Sequence, residues 1–373
     1  MITRTLEQNI TNCLPLRKVI IIYGARQVGK TSLITKLFGT ESKALFLNGE
    51  SLETQSLFQS FSLATLQARL AGRNLLIIDE AQNIVNIGFY LKQIYDNLKD
   101  VQIIVTGSSS FDLANKINEP LTGRKVEFQL FPISYKEMVN DTNGFAEHSL
   151  IPHRMVYGYY PEVVSQSGLE RLLLDNLSSS YLYKDILTWE RIKKSDRIVK
   201  LLQALAFQIG SQVSYNELGQ LCNLDYKTIE SYISLLEQAF IIFRLPSYAR
   251  NHRNELKFSK KIYFCDNGIR NAIINNFSDI NLRNDAGALW ENFVIAERLK
   301  KNHYDMHYCS SYFWRTNTQI EIDYLEEYDG QLHAYELKWN PTRKAACPKS
   351  FLETYPHASF DVITPENIEQ FLL

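Results

Sequence analysis

One short stretch of the sequence has the residue types and spacing for phosphate chemistry. Residues 18–33 read KVIIIYGARQVGKTSL, an apolar run followed by the pattern G-x-x-x-x-G-K-T. Glycines at these positions let backbone N–H groups curl around phosphates at a helix start, where the dipole favours negative charge. The lysine then reaches the β- and γ-phosphates, and the hydroxyl reaches Mg²⁺. The predicted nucleotide contacts are Gly24, Ala25, Arg26, Gln27, Val28, Gly29, Lys30, Thr31 and Ser32.

An acidic pair, Asp79 and Glu80, ends the apolar segment NLLIIDEAQ. Because the carboxyl ends of parallel strands meet at one edge of a sheet, this pair should lie beside the phosphates. Asp79 would complete the Mg²⁺ shell with Thr31, and Glu80 would orient and deprotonate an attacking water. Each feature has a plainer alternative, a chance glycine-rich turn and a helix cap. Their occurrence together favours the nucleotide site.

Two further residues are candidates for action on the γ-phosphate. Ser108 ends the apolar run of VQIIVTGSSS; the neighbouring serines are equally placed, and an ordinary polar loop is the alternative. Arg124 precedes a predicted strand in LTGRKVEFQLFPIS. From there it could stabilise transition-state charge in a neighbouring subunit, which requires a homo-oligomer. A surface cation is the alternative for Arg124.

The C-terminal part carries a second set of carboxylates. In IEIDYLEEYDGQLHAYELKW, the Asp-Gly pair at 329–330 predicts a two-residue hairpin turn. This register places Asp323 opposite Glu336, and two carboxylates with Cβ atoms about 5 Å apart repel unless a cation lies between them. We therefore predict that Asp323 and Glu336 hold Mg²⁺ or Mn²⁺. Lys338, on the same face, would orient the attacking hydroxide or neutralise the scissile phosphate.

Two alternatives stay open for this set. Glu291, in GALWENFVIAERLKK, has uncharged helical neighbours, so its carboxylate needs a partner in the cluster unless it reaches solvent at the helix edge. The hairpin register also pairs Glu321 with Lys338, which would make a surface ion pair worth under about 1 kcal/mol. That pairing would tie down the lysine and imply a nuclease-like fold that does not cleave.

The middle of the chain is predicted to be helical. Residues 168–192 have helical spacing, and residues 197–245 read as three helices in helix-turn-helix order, with Ser214 and Glu217 as a capping box. The basic segment 244–261 follows and predicts contact with a DNA backbone. A solvated basic loop in a domain that contacts only protein is the alternative.

In this order, the sequence resembles AAA+ ATPases, and more narrowly a bacterial and archaeal family of AAA-type ATPases with a C-terminal domain of unknown function. The matching stretches are GARQVGKTSL, LLIIDEAQN, TGSSS, LTGRKVEFQLFPIS, YGYYPEVV, LWENFVIAERL and WRTNTQIEIDYL…YELK. In related ATPases a Gly-Gly-x-Pro segment of the lid touches the nucleotide. The resemblance assigns that contact to Pro161, although the segment here reads GYYP and lacks the second glycine.

The C-terminal set Glu291, Asp323, Glu336 and Lys338 resembles the PD-(D/E)xK nuclease site, with Ile322 in place of the proline before the aspartate. The fold class implied is α/β: a P-loop AAA+ parallel sheet with helices on both faces, then a helical lid and winged helix, then an α/β restriction-endonuclease-like domain. The corresponding domains are residues 1–155, 156–195, 196–255 and 256–373.

Composition sets limits on these interpretations. The chain has 373 residues, 45% hydrophobic and 22% charged, as in soluble globular proteins of two or three domains. Its 40 basic and 41 acidic residues nearly cancel, so a DNA contact requires a local patch. Five scattered cysteines and the lack of long apolar runs favour a cytoplasmic protein that does not enter the membrane.

We therefore expect a Mg²⁺-dependent ATPase, with ATP and Mg²⁺ as cofactors, coupled to a DNA-directed nuclease-like module. The alternative is an ATP-dependent switch or scaffold that binds DNA or protein and has a catalytically inactive nuclease fold.

Overall fold

The computed structural model describes residues 1–39, 43–108, 120–187, 195–249, 260–343 and 345–373. These residues form two compact units. The first comprises Met1–Pro132 and Gln238–Phe240, and the second comprises Ile133–Glu237 and Ile241–Leu373. Over the described ranges, every helix is too short or too polar to cross a membrane.

The first unit is built on a five-stranded parallel sheet with the strand order β2-β3-β4-β1-β5. The strands are β1 (Val19–Tyr23), β2 (Ala44–Asn48), β3 (Leu75–Asp79), β4 (Gln102–Gly107) and β5 (Lys125–Gln129). Strands β1, β3 and β4 are runs of Val, Ile and Leu that are almost entirely buried, as expected where both faces of a parallel sheet are covered. The helices are α1 (Leu6–Cys13), α2 (Lys30–Phe38), α3 (Leu52–Gln59), α4 (Leu63–Leu70) and α5 (Ile87–Asn97).

An apolar core holds one face of this sheet to α3, α4 and α5. Ile21 and Ile78 of the sheet pack with Phe58, Leu66 and Leu91 of the helices, all fully or almost fully buried. Each such side chain contributes roughly 2 kcal/mol relative to an exposed position. The core therefore fixes the carboxyl ends of β1, β3 and β4, from which the candidate phosphate-binding residues extend.

The second unit begins with a helical region followed by a small sheet. Its helices are α6 (Tyr135–Asp141), α7 (Gly144–Ser149), α8 (Ile151–Tyr157), α9 (Pro161–Ser165), α10 (Glu170–Leu187), α11 (Ser195–Phe207), α12 (Tyr215–Cys222), α13 (Tyr226–Gln238) and α14 (Asn267–Ile273). Strands β6 (Gln212–Val213), β7 (Ile242–Pro246) and β8 (Lys260–Phe264) form an antiparallel sheet in the order β6-β8-β7. The Ser214 side chain accepts from the Glu217 N–H, so α12 begins where the sequence predicts a cap.

A mixed four-stranded sheet forms the C-terminal part of the second unit. Strands β9 (Ser310–Arg315), β10 (Glu321–Tyr328) and β11 (Gln331–Leu337) are antiparallel, and β12 (Ser359–Ile363) runs parallel to β11. The helices here are α15 (Ala286–Tyr304), α16 (Lys349–Thr354) and α17 (Ile368–Leu372).

The predicted hairpin register is confirmed. Tyr328 pairs with Gln331, and Tyr324 pairs with Tyr335. The turn residues Asp329 and Gly330 have φ values of +51° and +72°, the left-handed conformations that a tight two-residue hairpin requires. The Asp-Gly pair therefore sets which side chains of β10 and β11 face each other.

Candidate nucleotide site and C-terminal acidic cluster

The loop between β1 and α2 is shaped by two glycines. Gly29 has φ +94°, and a Cβ atom at Gly24 would lie 2.3 Å from the Leu130 carbonyl oxygen, so each position excludes a side chain. Lys30 begins α2 and is almost fully buried, and its ammonium donates to the carbonyl oxygens of Gly24 (2.9 Å) and Ala25 (2.8 Å). The loop thus surrounds a lysine at the start of a helix, as phosphate binding requires.

The other predicted contacts of the loop differ in exposure. Ala25 and Val28 are buried and pack into the domain, Arg26 is half-buried, and Gln27 and Ser32 are exposed. The two buried residues can therefore offer a ligand their backbone groups alone.

The second strand end supplies Mg²⁺-type ligands. Asp79 is the last residue of β3, and the Thr31 hydroxyl donates to its Oδ2 at 2.8 Å. Its Oδ1 accepts from the hydroxyl of Thr106, a fully buried residue on β4. A carboxylate and a hydroxyl oxygen at this separation are the hard ligands that Mg²⁺ prefers. Thr31 and Asp79 therefore fit a magnesium ion.

Glu80 is held in a strained position by its neighbours. Its φ of +49° is left-handed, and its backbone N–H donates to the Thr106 hydroxyl at 3.2 Å. The Gln82 amide donates to the Glu80 carboxylate (2.5 Å) and to the Ser108 hydroxyl (3.0 Å). Glu80, Gln82 and Ser108 thus form one connected group. Sequence reasoning missed both Gln82 and Thr106, although their neighbours in DEAQ and TGSSS were identified.

Arg4 is a third residue that the motifs do not reveal. It is almost fully buried, and its guanidinium donates to the carbonyl oxygens of Val28 (2.8 Å) and Phe131 (2.6 Å). It therefore ties the phosphate loop to the segment that follows β5. A single arginine near the start of a chain forms no recognisable pattern, so the sequence carried no signal for this role.

Arg124 lies at the opposite edge of the sheet from the loop. It immediately precedes β5, and its carbonyl accepts from the N–H of Val19, the first residue of β1. Its guanidinium pairs with Asp96 at 3.0 Å, with both side chains about one-third exposed. Within its own chain, Arg124 is therefore part of a surface ion pair, and its action on a neighbouring subunit stays a prediction. Pro161 is the first residue of α9 in the second unit, and its contact with the nucleotide likewise stays a prediction.

The C-terminal cluster brings together the carboxylates of β10 and β11. The Leu337 N–H donates to Asp323 Oδ2 at 2.9 Å. The Lys338 ammonium lies 2.5 Å from Glu336 Oε1 and 3.9 Å from Asp323 Oδ2. Burial, followed by the charge of Asp323, raises the pKa of Glu336 above its ordinary value. Lys338 thus contacts the two predicted metal ligands. The alternative prediction had paired it with Glu321.

Glu291 and Glu321 have a cation that the sequence did not predict. The ammonium of Lys261, on β8, lies 2.9 Å from Glu291 Oε1 and also contacts Glu321. Tyr263 donates to the same Glu291 oxygen at 2.5 Å. Burial raises the pKa of Glu291 to about 7, although Lys261 opposes the shift. Glu291 therefore has partners inside the cluster, as its apolar neighbours suggested. Arg315 is the second partner of Glu321, at 3.3 Å.

A tighter set of potential metal ligands lies elsewhere in the C-terminal sheet. Within the described part of the chain, His307, Cys309 and Glu326 form the group of three whose ligand atoms lie within 4.8 Å of one another. Both oxygens of buried Glu326 accept from Arg298 at 2.7 Å. This carboxylate is therefore committed to an ion pair rather than to a metal.

Two cations of the basic segment 244–261 form ion pairs with carboxylates of the protein itself. Arg244 pairs with Glu237, and Lys261 is buried in the acidic cluster. Arg250, Arg253 and Lys257 lie outside the described residues. The DNA contact predicted for this segment therefore rests on its remaining cations.

Three family comparisons cover most of the chain. Residues 16–139 match the AAA domain family. Residues 148–280 match a domain of unknown function (DUF8612), and residues 286–370 match another (DUF4143). The nucleotide-binding geometry and the first of these matches thus fall on the same stretch.

Similar proteins occur in distant microbes. An uncharacterized protein of Haemophilus influenzae is 25% identical over 76% of this chain and 74% of its own. An uncharacterized protein of Mycobacterium tuberculosis is 25% identical over 87% of this chain and 71% of its own. Among solved structures, a Walker-type ATPase of Pyrococcus abyssi has a TM-score of 0.54 at 15% identity, covering 74% of this chain and 96% of that one. Residues 16–139 therefore match the AAA domain family and share the fold of a Walker-type ATPase, and the two segments that follow match families of unknown function.

Proposed function

We propose that the protein hydrolyses ATP in a Mg²⁺-dependent reaction at the loop and strand ends described above. The observation that carries the proposal is the hydrogen bond of 2.8 Å between Thr31 and Asp79, because it joins the phosphate loop to an acidic strand end. The Lys30 ammonium would exchange its two carbonyl acceptors for phosphate oxygens, which bind cations more strongly. Glu80 would take the proton of the attacking water.

Steady-state ATP turnover with and without Mg²⁺ tests this proposal. We expect Lys30→Ala to lower turnover by more than about 100-fold, because the lysine is the buried cation at the phosphates. Lys36→Ala is the matched control, since Lys36 lies on the same helix and pairs with Glu7 at its surface. Equal turnover in the wild type and Lys30→Ala would refute the assignment.

We further propose that the ATPase is coupled to a DNA-directed nuclease-like module. Supporting this are the proximity of Asp323, Glu336 and Lys338 and the order of α15, three antiparallel strands, α16 and the parallel strand β12. The helices α11, α12 and α13 with the sheet β6-β8-β7 support a winged-helix arrangement. The domain boundaries after residues 155, 195 and 255 and the homo-oligomer belong to the same proposal.

A second candidate function is an ATP-dependent switch or scaffold with a silent nuclease-like fold. The observation that favours it is the pairing of the cluster with protein cations: Lys338 binds Glu336, and Lys261 binds Glu291 and Glu321. A carboxylate that already has a cation gains less from a metal ion.

Plasmid cleavage distinguishes the two candidates. The wild type and the double variant Glu336→Ala/Lys338→Ala are incubated with DNA and Mn²⁺. Product from the wild type alone supports the nuclease, whereas equal product from both proteins excludes it. DNA-binding isotherms at two salt concentrations test the DNA partner separately, because phosphate contacts require affinity to fall with salt.

A further inference from the structure

Lys261 stands in an unusual environment for a lysine. It is 1% exposed on β8, between the β6 and β7 strands of the small sheet. Removing an ammonium from water is costly unless carboxylates accept its hydrogen bonds. Lys261 meets this need with Glu291 and Glu321, and its ammonium also lies 5.4 Å from the centre of the Phe313 ring.

The four carboxylates of the C-terminal cluster lie close to three cations of the protein itself. The ammonium of Lys261 pairs with Glu291 and Glu321, and the more exposed Arg315 also pairs with Glu321. The ammonium of Lys338 pairs with Glu336 and also lies 3.9 Å from Asp323 Oδ2. The carboxylates are Glu291, Glu321, Asp323 and Glu336, and the cations are Lys261, Arg315 and Lys338.

Of the three cations, Lys261 is the one placed at the centre. Its side chain is 1% exposed, compared with 26% for Arg315 and 28% for Lys338. The charged groups of Arg315 and Lys338 therefore remain partly in contact with water. Lys261 is instead held inside the sheet, because its backbone pairs with Gln212 of β6 on one side and with Leu245 of β7 on the other.

We propose that Lys261 is the resident cation of the C-terminal acidic cluster, filling with its ammonium the role that a divalent ion would otherwise have. This inference deepens the second candidate function and rests on it. With Lys261 in place, the cluster does not take up Mg²⁺ or Mn²⁺. Without that ammonium, the same carboxylates gain a vacancy for one hard cation.

Binding of Mn²⁺ to the full-length, nucleotide-free protein tests the inference. Free Mn²⁺ is measured by electron paramagnetic resonance for the wild type, Lys261→Met and Lys261→Met/Asp323→Asn. We expect Lys261→Met to gain one Mn²⁺ site at least about tenfold tighter than any site of the wild type. The gain should disappear in the double variant. Lys260→Met, changed at the adjacent and more exposed position, should bind as the wild type does.

Thermal unfolding gives a second reading of the same variants. Lys261→Met should unfold at a lower temperature than the wild type, and Mn²⁺ should restore part of the loss in this variant alone. If Lys261→Met does not fold, the comparison of the wild type with Asp323→Asn still decides. A wild-type Mn²⁺ site that Asp323→Asn abolishes would overturn the inference, as would a folded Lys261→Met with no new site.

These outcomes are separate from those of the ATPase proposal. ATP turnover depends on Lys30 and can be lost or retained whatever Mn²⁺ does at the cluster. The wild type could instead bind Mn²⁺ at Asp323 and cleave plasmid when Mn²⁺ is present. That result would reject both the inference about Lys261 and the second candidate function, in which the nuclease-like fold is inactive. The ATPase assignment would stand.

Discussion

Replacing Thr106 with valine tests a residue of the candidate nucleotide site that lies outside both the glycine-rich motif and the acidic pair. The hydroxyl donates to Asp79 and accepts the backbone N–H of Glu80 at 3.2 Å, and the residue is fully buried. A hydrogen bond to a charged group contributes about 1.5–3 kcal/mol, and an orphaned buried N–H costs about 1–3 kcal/mol. Because valine keeps the shape and removes the hydroxyl, we expect Thr106→Val to lower stability by about 2–4 kcal/mol.

The same change should appear in the ATPase kinetics. If the loss of these hydrogen bonds raises the free-energy barrier of the reaction by about 1.4–2.8 kcal/mol, kcat falls by about 10- to 100-fold. The Mg²⁺ concentration needed for half-maximal rate should also rise, since Asp79 loses one of the hydroxyls that orient it. Turnover is measured across a Mg²⁺ titration, with denaturant unfolding in parallel. Thr106→Ser retains the hydroxyl and should stay within about threefold of the wild type. A Thr106→Val protein with wild-type kcat and Mg²⁺ dependence would refute the role assigned to this residue.

Three further changes test other parts of the structure. Gln82→Ala removes the amide that donates to Glu80, the glutamate proposed to activate water, so kcat should fall about tenfold with KM for ATP changed less than about twofold. Arg4→Met deprives two buried carbonyls of a charged donor, so the free energy of unfolding should drop by about 2–4 kcal/mol and KM for ATP should rise. Burial would raise the pKa of Asp285, but hydrogen bonds from Arg283 and Arg270 lower it to about 2. A carboxylate with a depressed pKa stabilises the fold above its unfolded pKa and loses this effect as pH falls through the folded pKa. Asp285→Asn should therefore cost about 2 kcal/mol at pH 7 and about half as much at pH 3, measured by urea unfolding.

Each of these changes has a control at an exposed position. Gln67→Ala, Arg17→Met and Asp100→Asn alter the same residue types where the side chain faces solvent, and should leave kcat and stability nearly unchanged. A Gln82→Ala enzyme with full kcat would show that Glu80 needs no tether. An unchanged Arg4→Met protein would show that the loop holds its shape alone. A cost for Asp285→Asn that does not depend on pH would point to lost packing rather than lost charge.

The phosphate loop could be predicted from sequence because its determinants are local. Gly24 and Gly29 are required by a close backbone approach and by a positive φ, and both constraints act within a few residues of the loop. Thr106 could not be found in this way. Its role depends on β4 lying beside β3, so that its hydroxyl meets Asp79, and a linear reading favoured Ser108 two residues later.

In the C-terminal hairpin too, the local features could be predicted from the sequence and a contact with a distant strand could not. Its register followed from two turn residues, so the proximity of Asp323 and Glu336 could be anticipated. The alternative that paired Glu321 with Lys338 was wrong, since Lys261 is found beside Glu321. Lys261 belongs to a strand of a different sheet, far away in the sequence. Pairing rules for one hairpin contain no information about a cation that another sheet brings to it.

The tyrosine that replaces a glycine in the GYYP segment has a structural reason. Gly158 has φ +70°, and a Cβ atom there would lie 2.0 Å from the carboxylate of Asp266, so the first glycine is required. At the next position, the Tyr159 N–H donates to Asp266 at 2.7 Å and its hydroxyl donates to buried Glu147 at 2.8 Å. A glycine could make the first of these bonds but not the second, and it would leave the space of a fully buried ring empty. The path of the chain into Pro161 is therefore fixed by the core of its own unit, and the second glycine is not needed to set it.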